Sequence, residues 1–388
     1  MPPIRDYEYE KKLVMYELVP KLIYLISNYE TDYVPALQLG ENPPIVPYEK
    51  IKTTHYTNNS ELVKRILITF FITQNRIFRN LDEGFVHIYD DVYALKVPNS
   101  IYKCYHFGKV CLEAMIQNLY TNPRFIVNKA YAKLIKVPVG SWLPVGRRLT
   151  NIIHVKLLLN NMTLTHGATI MHPKGKATAF IAGAEVGKTS LVFNIAFSNQ
   201  VPLLAEDVFV TDGLRIFPCP YTTTYLRSDI VLRLMFQHEL IRASKYRFLK
   251  VINRLNKLDL LWGSILKKGA EIIDYIRNEV FIKEPCPVEN VILMIRDTKN
   301  EIKSLDVDEA LRRVLIINRI EFDFFRDILI SAYIGTFPSS SVSRIQDLME
   351  REEHIIKQML ERSKNLILIK FNSHEWLKNT VLKVLFKK

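Results

Sequence analysis

Gly187-Lys188-Thr189 sets a lysine and a hydroxyl directly after a glycine, the closing half of a loop that holds phosphate. The full candidate loop, within "FIAGAEVGKTS", is Ala182, Gly183, Ala184, Glu185, Val186, Gly187, Lys188, Thr189 and Ser190. In such a loop backbone N–H groups wrap the β-phosphate, and the positive end of the following helix faces it. Lys188 would reach the β/γ oxygens and the Thr189 hydroxyl would bind Mg2+. Gly187 is needed where a side chain would collide with the phosphate or the turn. Ala182 stands where the loop's opening glycine is expected, and it serves while the backbone there stays extended. Glu185 puts a carboxylate inside an anion cradle, where it must point to solvent or weaken binding.

Glu206 and Asp207 lie 18 and 19 positions beyond Lys188, at the end of the next apolar run. A nucleotide loop needs a carboxylate there to hold Mg2+ or its water shell. A phosphoryl transfer enzyme also needs a base for the proton of the attacking hydroxyl. Adjacent residues on a strand point to opposite faces, so a bulge or a strand end is required to bring both in. His166, followed by Gly167, is a third candidate for acid–base work.

These residues need elements to hold them. "KATAFIAG" is a β-prone run entering the loop, "KTSLVFNIAFSN" an amphipathic helix leaving it, and "VPLLAEDVFV" a buried strand with two carboxylates. From Thr165 to Pro220 the pattern reads strand, turn, strand, loop, helix, strand, turn, strand. Strand, phosphate loop and helix in that order supply the context a bare motif lacks.

Upstream the periodicity predicts another domain. "YEYEKKLVMYELVPKLIYLISNYE", "SELVKRILITFFITQNRIF" and "KVCLEAMIQNLY" have apolar residues at helical spacing. "QLGENPPIVPYEK" is a Pro-rich break. "GFVHIYDDVYALKV" predicts a strand hairpin with Asp90-Asp91 at its bend. "KVPVGSWLPVGRR", with two prolines and two glycines, marks the boundary. The expected organisation is an α+β, mostly helical domain over residues 1–140 and a catalytic domain over 150–388.

The 388 residues carry 53 Lys and Arg against 40 Asp and Glu, a formal charge of +13, which favours polyanionic partners. Four cysteines without metal-ligand spacing argue against a disulfide scaffold or zinc site. The charged, proline-bearing start is not an ordinary secretory signal, and no apolar run approaches the roughly 20 residues that span a bilayer. A cytoplasmic protein without a membrane span is expected.

The order "THGATI … FIAGAEVGKTSLVFNIA … PLLAEDVFV … GLRIFPCP" resembles the catalytic domain of bacterial HPr kinase/phosphorylase and its kinase-like relatives. That family shares its nucleotide-binding fold with phosphoenolpyruvate carboxykinase. It has a His-Gly pair before a strand, then the phosphate loop, then a strand ending in two aspartates. The resemblance covers roughly residues 160–220, with "PVENVILMIRD" and "NLILIKFNSHEW" similar to later strands of that domain. It implies an α/β P-loop kinase domain of the HPr kinase/phosphoenolpyruvate carboxykinase type, using ATP and Mg2+. Lys188 and Thr189 would bind phosphate and magnesium. Glu206 and Asp207 would supply metal contact and the general base, with His166 near the reacting groups. Glu206 replaces the family's first aspartate, Ala182 and Glu185 replace loop glycines, and the family's substrate-contacting segment after the acidic strand is not recognisable. Arg227 is a candidate phosphate contact.

Residues 242–268 predict an amphipathic helix with an apolar face from Phe248 to Leu266 and a basic face carrying Lys250, Arg254, Lys257 and Lys268. It reads either as a solvated surface or as a docking face for an acidic partner or RNA. The function expected is an ATP-dependent kinase with a hydroxyl acceptor on a protein, peptide or RNA; homo-oligomerisation is left open. The rival readings are a nucleotide-binding regulatory ATPase and a nucleic-acid-binding protein with a vestigial loop.

Overall fold

The apolar run Ile66–Thr73 is a β-strand, and so is most of the described chain before residue 128. The computed structural model describes residues 14–19, 21–28, 49–52, 66–73, 77, 85–89, 92–97, 99–107, 109–133, 145–172, 174–184, 186–219 and 284–386. It also describes positions 236, 242–244, 247 and 251. The chain divides into two compact units: Met1–Asn161 with Phe322–Glu352, and Met162–Glu321 with Glu353–Lys388.

The first unit contains a nine-stranded sheet. Its strands are β1 (Val14–Val19), β2 (Ile23–Ser27), β3 (Glu49–Lys52), β4 (Ile66–Thr73), β5 (Phe85–Tyr89), β6 (Val92–Val97), β7 (Ser100–Phe107), β8 (Val110–Gln117) and β9 (Arg124–Asn128). Their order is β3-β1-β2-β4-β9-β8-β7-β6-β5. This corrects the mostly helical expectation: the three segments read as helices form β1, β2, β4 and β8. The cause is burial on both faces. β2 is buried at every position and β8 at all but its first, so neither shows the alternation that distinguishes a strand. The two strands of the expected hairpin pair, β5 antiparallel with β6 from Phe85↔Lys96 to Tyr89↔Val92, while Asp90-Asp91 lies outside the described residues.

Helix α1 (Lys129–Lys133) packs on β8 and β9, and α2 (Val145–Leu158) packs on β4. α2 buries polar residues as well as apolar ones. Arg148 Nε donates to both carboxylate oxygens of Asp327 at 3.2 and 3.1 Å, and Asn151 donates to Asp323 at 3.0 Å. Cys104 and Cys111 are joined by a disulfide between β7 and β8, contrary to the expectation from cysteine spacing. The two residues flank a hairpin, so strand pairing rather than proximity along the chain brings them together.

The second unit contains an eight-stranded sheet. Its strands are β10 (Thr163–Met171), β11 (Ala177–Ile181), β12 (Leu203–Ala205), β13 (Val208–Thr211), β14 (Arg215–Phe217), β15 (Cys286–Arg296), β16 (Glu301–Ser304) and β17 (Asn365–Phe371). Two long strands organise it. β10 pairs with β13 along Thr163–His166 and with β11 along Gly167–Met171. β15 pairs with β14 at its start, then runs parallel to both β11 and β17. Helix α3 (Lys188–Asn199) packs on β10 and β12, α4 (Val307–Glu321) on β10, and α7 (His374–Phe386) on α3 and β17. Between α4 and α7 come a 3-10 turn (Phe324–Arg326), α5 (Ile328–Thr336) and α6 (Ile345–Arg362); the division between the units falls inside α6. The mixed α/β class is as expected, and the strand–loop–helix order over residues 177–199 matches the sequence pattern. No helix among the described residues is long and apolar enough to cross a membrane.

Candidate functional site

β11 ends at Ile181, and the chain turns through the candidate loop into α3 at Lys188. Ala182 is fully buried and keeps a negative φ, so its methyl group costs the backbone nothing. A β-carbon on Gly183 would meet nothing within 4 Å. Gly187 differs: its φ is +105°, and it caps α3 without a side-chain hydrogen bond to the first turn. The first-turn N–H groups are therefore not capped by the Gly187 position, as a helix start that receives an anion requires. Ala184 is exposed, while Val186, Thr189 and Ser190 are half-buried. Glu185 lies outside the described residues, as do Arg227 and all but scattered positions of the basic 242–268 stretch.

Lys188, the first residue of α3, is 5% exposed. Its Nζ donates to the carbonyls of Ala182 at 2.9 Å and Gly183 at 3.0 Å, folding the side chain back over its own loop. Burial lowers its pKa, while the charges of Asp207, Glu321 and Glu206 oppose that shift. Three carboxylates thus lie within electrostatic reach of one buried ammonium.

Glu206 and Asp207 interrupt "VPLLAEDVFV" at a bend between β12 and β13. Alternation across the bend leaves Glu206 fully buried and the Asp207 side chain 35% exposed. The backbone ties the bend to β10: Gly167 N donates to Asp207 O at 2.9 Å, and His166 is paired with Val208. His166 therefore lies beside Asp207, its Nε2 3.4 Å from Oδ1. Burial works to raise the Asp207 carboxyl, but contact with His166 and the charge of Lys188 outweigh it and hold the group below the ordinary carboxylate range.

His166 sits within a strand, and the glycine after it answers to packing. A β-carbon at Gly167 would stand 2.8 Å from Phe180 O and 3.0 Å from the Phe209 ring. The predicted residues Lys188, Asp207, Glu206 and His166 form one cluster. Glu321 joins it from the last residue of α4, its Oε1 3.7 Å from His166 Nδ1. Nothing near Glu321 in the sequence marks it, because only tertiary packing brings α4 against β10. His374 is a second addition: its exposed imidazole, at the start of α7, lies against Gly187. No protein-family model matches the chain, and no curated protein is significantly similar to it.

Proposed function

We propose that the second unit is an ATP-dependent kinase of the HPr kinase-like P-loop type that transfers the γ-phosphoryl group to a hydroxyl acceptor. The observation that carries the reading is the buried Lys188 ammonium at the start of α3, bonded to loop carbonyls and within electrostatic reach of Asp207, Glu321 and Glu206. A buried lysine is costly unless it is paired or awaits an anion. Carbonyl partners are readily exchanged for phosphate oxygens, to which charge-assisted bonds are stronger.

ATP and Mg2+ fit the residues present. The α3 start, which Gly187 does not cap with a side chain, and Lys188 suit a phosphate. The Thr189 hydroxyl and the Glu206 and Asp207 carboxylates offer only oxygen donors, the chemistry a hard cation takes. Bound together, they supply the transferable phosphoryl group and neutralise charge on it. The chain's own part is then positional and protonic. Lys188 and the loop N–H groups hold the phosphates, and buried Glu206 contributes fixed negative charge for the cation. Asp207, ionised and partly exposed, takes the proton of the acceptor hydroxyl as its oxygen bonds to phosphorus and the bond to the ADP oxygen breaks. His166 holds the carboxylate from its other side.

The positive charge and the basic stretch at 242–268 support a macromolecular acceptor, a protein, peptide or RNA. Incubating the full chain with γ-labelled ATP and fractionated lysate of the source cell tests the reading. Label in an acceptor fraction supports it. Phosphate release without a labelled acceptor supports a nucleotide-hydrolysing switch, and no nucleotide dependence of either kind rejects both.

A further inference from the structure

The His166 side chain is 6% exposed and lies between two carboxylates, Asp207 Oδ1 at 3.4 Å from Nε2 and Glu321 Oε1 at 3.7 Å from Nδ1. Nδ1 is buried and makes no hydrogen bond within ordinary distance. A buried polar atom of this kind needs a stated reason, since unsatisfied groups are rare in folded interiors. The Glu321 carboxylate is the charged group facing it, a few tenths of an ångström beyond bonding range. Contacts of catalytic groups are often long before substrate binds and shorten in the complex.

Helix α4 holds the strand as well as the ring. Asn318, fully buried and one turn before Glu321, accepts from His166 N at 3.0 Å and donates to Leu164 O at 3.0 Å. The last turn of α4 thus fixes both the backbone and the side-chain edge of His166. Glu321 occupies a position that local helix energetics disfavour, because an anion at a helix C-terminus opposes the macrodipole. A gain elsewhere accounts for its placement, and its partner is the ring.

We propose that Glu321 is a positioning residue: it receives the Nδ1 edge of His166 and so aims Nε2 at Asp207. The geometry stands by itself, whereas its consequence for turnover rests on the phosphotransfer reading above. Because the ring turns about its χ angles when one edge is released, loss of Glu321 swings Nε2 away from Asp207 without removing either carbonyl that Lys188 bonds.

The test uses the full chain labelled with 15N-histidine, with Glu321→Ala and Glu321→Gln variants, and His166→Gln to assign the signal. In wild type a protected Nδ1–H resonance of His166 is expected. It is retained in Glu321→Gln, whose amide oxygen still accepts, and lost in Glu321→Ala. Transfer from γ-labelled ATP should fall in kcat by up to about 100-fold in Glu321→Ala, the size of effect a misplaced group produces. Glu321→Gln should recover most of that loss. An unchanged ring signal in Glu321→Ala overturns the assignment, as does a Glu321→Gln variant that behaves like Glu321→Ala in both readouts. If wild type transfers no label, the kinase reading fails, and the ring signal alone decides the role of Glu321.

Discussion

The imidazole of His374 lies where a β-carbon on Gly187 would stand. With φ at +105°, Gly187 is excluded from ordinary side chains twice, by its backbone and by its neighbour. Gly187→Ala should therefore destabilise the protein by about 1–3 kcal/mol, the cost of a residue held in a sparsely populated backbone region, with the collision added. Adding His374→Ala should remove the collision but not the backbone strain. Denaturant unfolding of the two single variants and the double variant reads the coupling. Strict additivity would mean that the ring and the glycine do not meet.

Lys188→Ala should weaken Mg-ATP binding by about 10- to 100-fold, the equivalent of about 1.5–3 kcal/mol for a charge-assisted hydrogen bond. Folding should survive, because burial already strains the ammonium and its loop carbonyls can turn to water. Lys188→Arg should not restore binding, since a planar guanidinium does not fit a slot that folds back on two adjacent carbonyls. Calorimetric titration of ATP checks both. Equal affinity in wild type and Lys188→Ala would remove the loop from the site.

For the acidic pair, Asp207→Asn should lower phosphoryl transfer by about 10²–10⁴-fold, the usual contribution of a general base, with little change in ATP affinity. Glu206→Gln should instead weaken Mg2+ dependence, since its buried carboxylate supplies charge rather than an accessible proton acceptor. Measuring kcat against the Mg2+ concentration separates the two. The same loss and the same Mg2+ response in both variants would contradict the division of roles.

The second unit was legible where short elements are punctuated. Gly183, Gly187 and Gly213 break the chain at the ends of β11, before α3 and before β14, and each element between them keeps its own period. The first unit was legible only in its β5–β6 strand pair. In β4, "ILITFFIT", Ile66, Ile68, Phe70, Phe71 and Thr73 are buried, so apolar residues fall at helical and strand spacings alike. Leu112, Met115 and Ile116 in β8 mimic a helix face for the same reason. Within the site, His166, Lys188, Glu206 and Asp207 were readable because residue type and chain order carry their pattern. Glu321 and His374 were not, because each reaches the site through a contact between distant elements.

Burial lowers the pKa of His154 to about 3. Its ring packs edge-on to Phe322 and Phe324, with centroids 5.3 and 4.8 Å away, and Glu352 stands 3.9 Å from Nε2. The unfolded chain binds a proton near the ordinary histidine value of 6.5, whereas the folded chain resists it. This stabilising term is fully present above that value and is lost progressively as pH falls from it toward about 3. His154→Leu should flatten the dependence of unfolding free energy on pH across that window. Denaturation midpoints at a series of acidic pH values supply the measurement, and parallel curves for variant and wild type would refute the assignment.

Arg148 and Asp327 are 1% and 0% exposed and joined at 3.1 Å, in a first unit whose polar interior depends on this pair. Tyr131 OH accepts a further bond from Arg148 at 3.1 Å, and Asp327 also caps α5 by accepting from Leu329 N at 3.0 Å. Lys103 lies in the same field: burial, then the charge of Arg148, pull its pKa down to about 8 while Asp327 opposes them. Removing Asp327 would leave a buried guanidinium unpaired, increase the strain on Lys103 and uncap a helix. Asp327→Ala should therefore cost about 3–5 kcal/mol, the range for breaking a buried pair from one side. Replacing both partners with apolar residues of similar volume should cost much less, since no charge is stranded, although the lost cap remains at about 1 kcal/mol. Unfolding free energies of Asp327→Ala and of the double variant Arg148→Met, Asp327→Leu test the claim. If the double variant is the less stable of the two, the pair contributes net stability beyond charge compensation, and the unpaired-cation account is wrong.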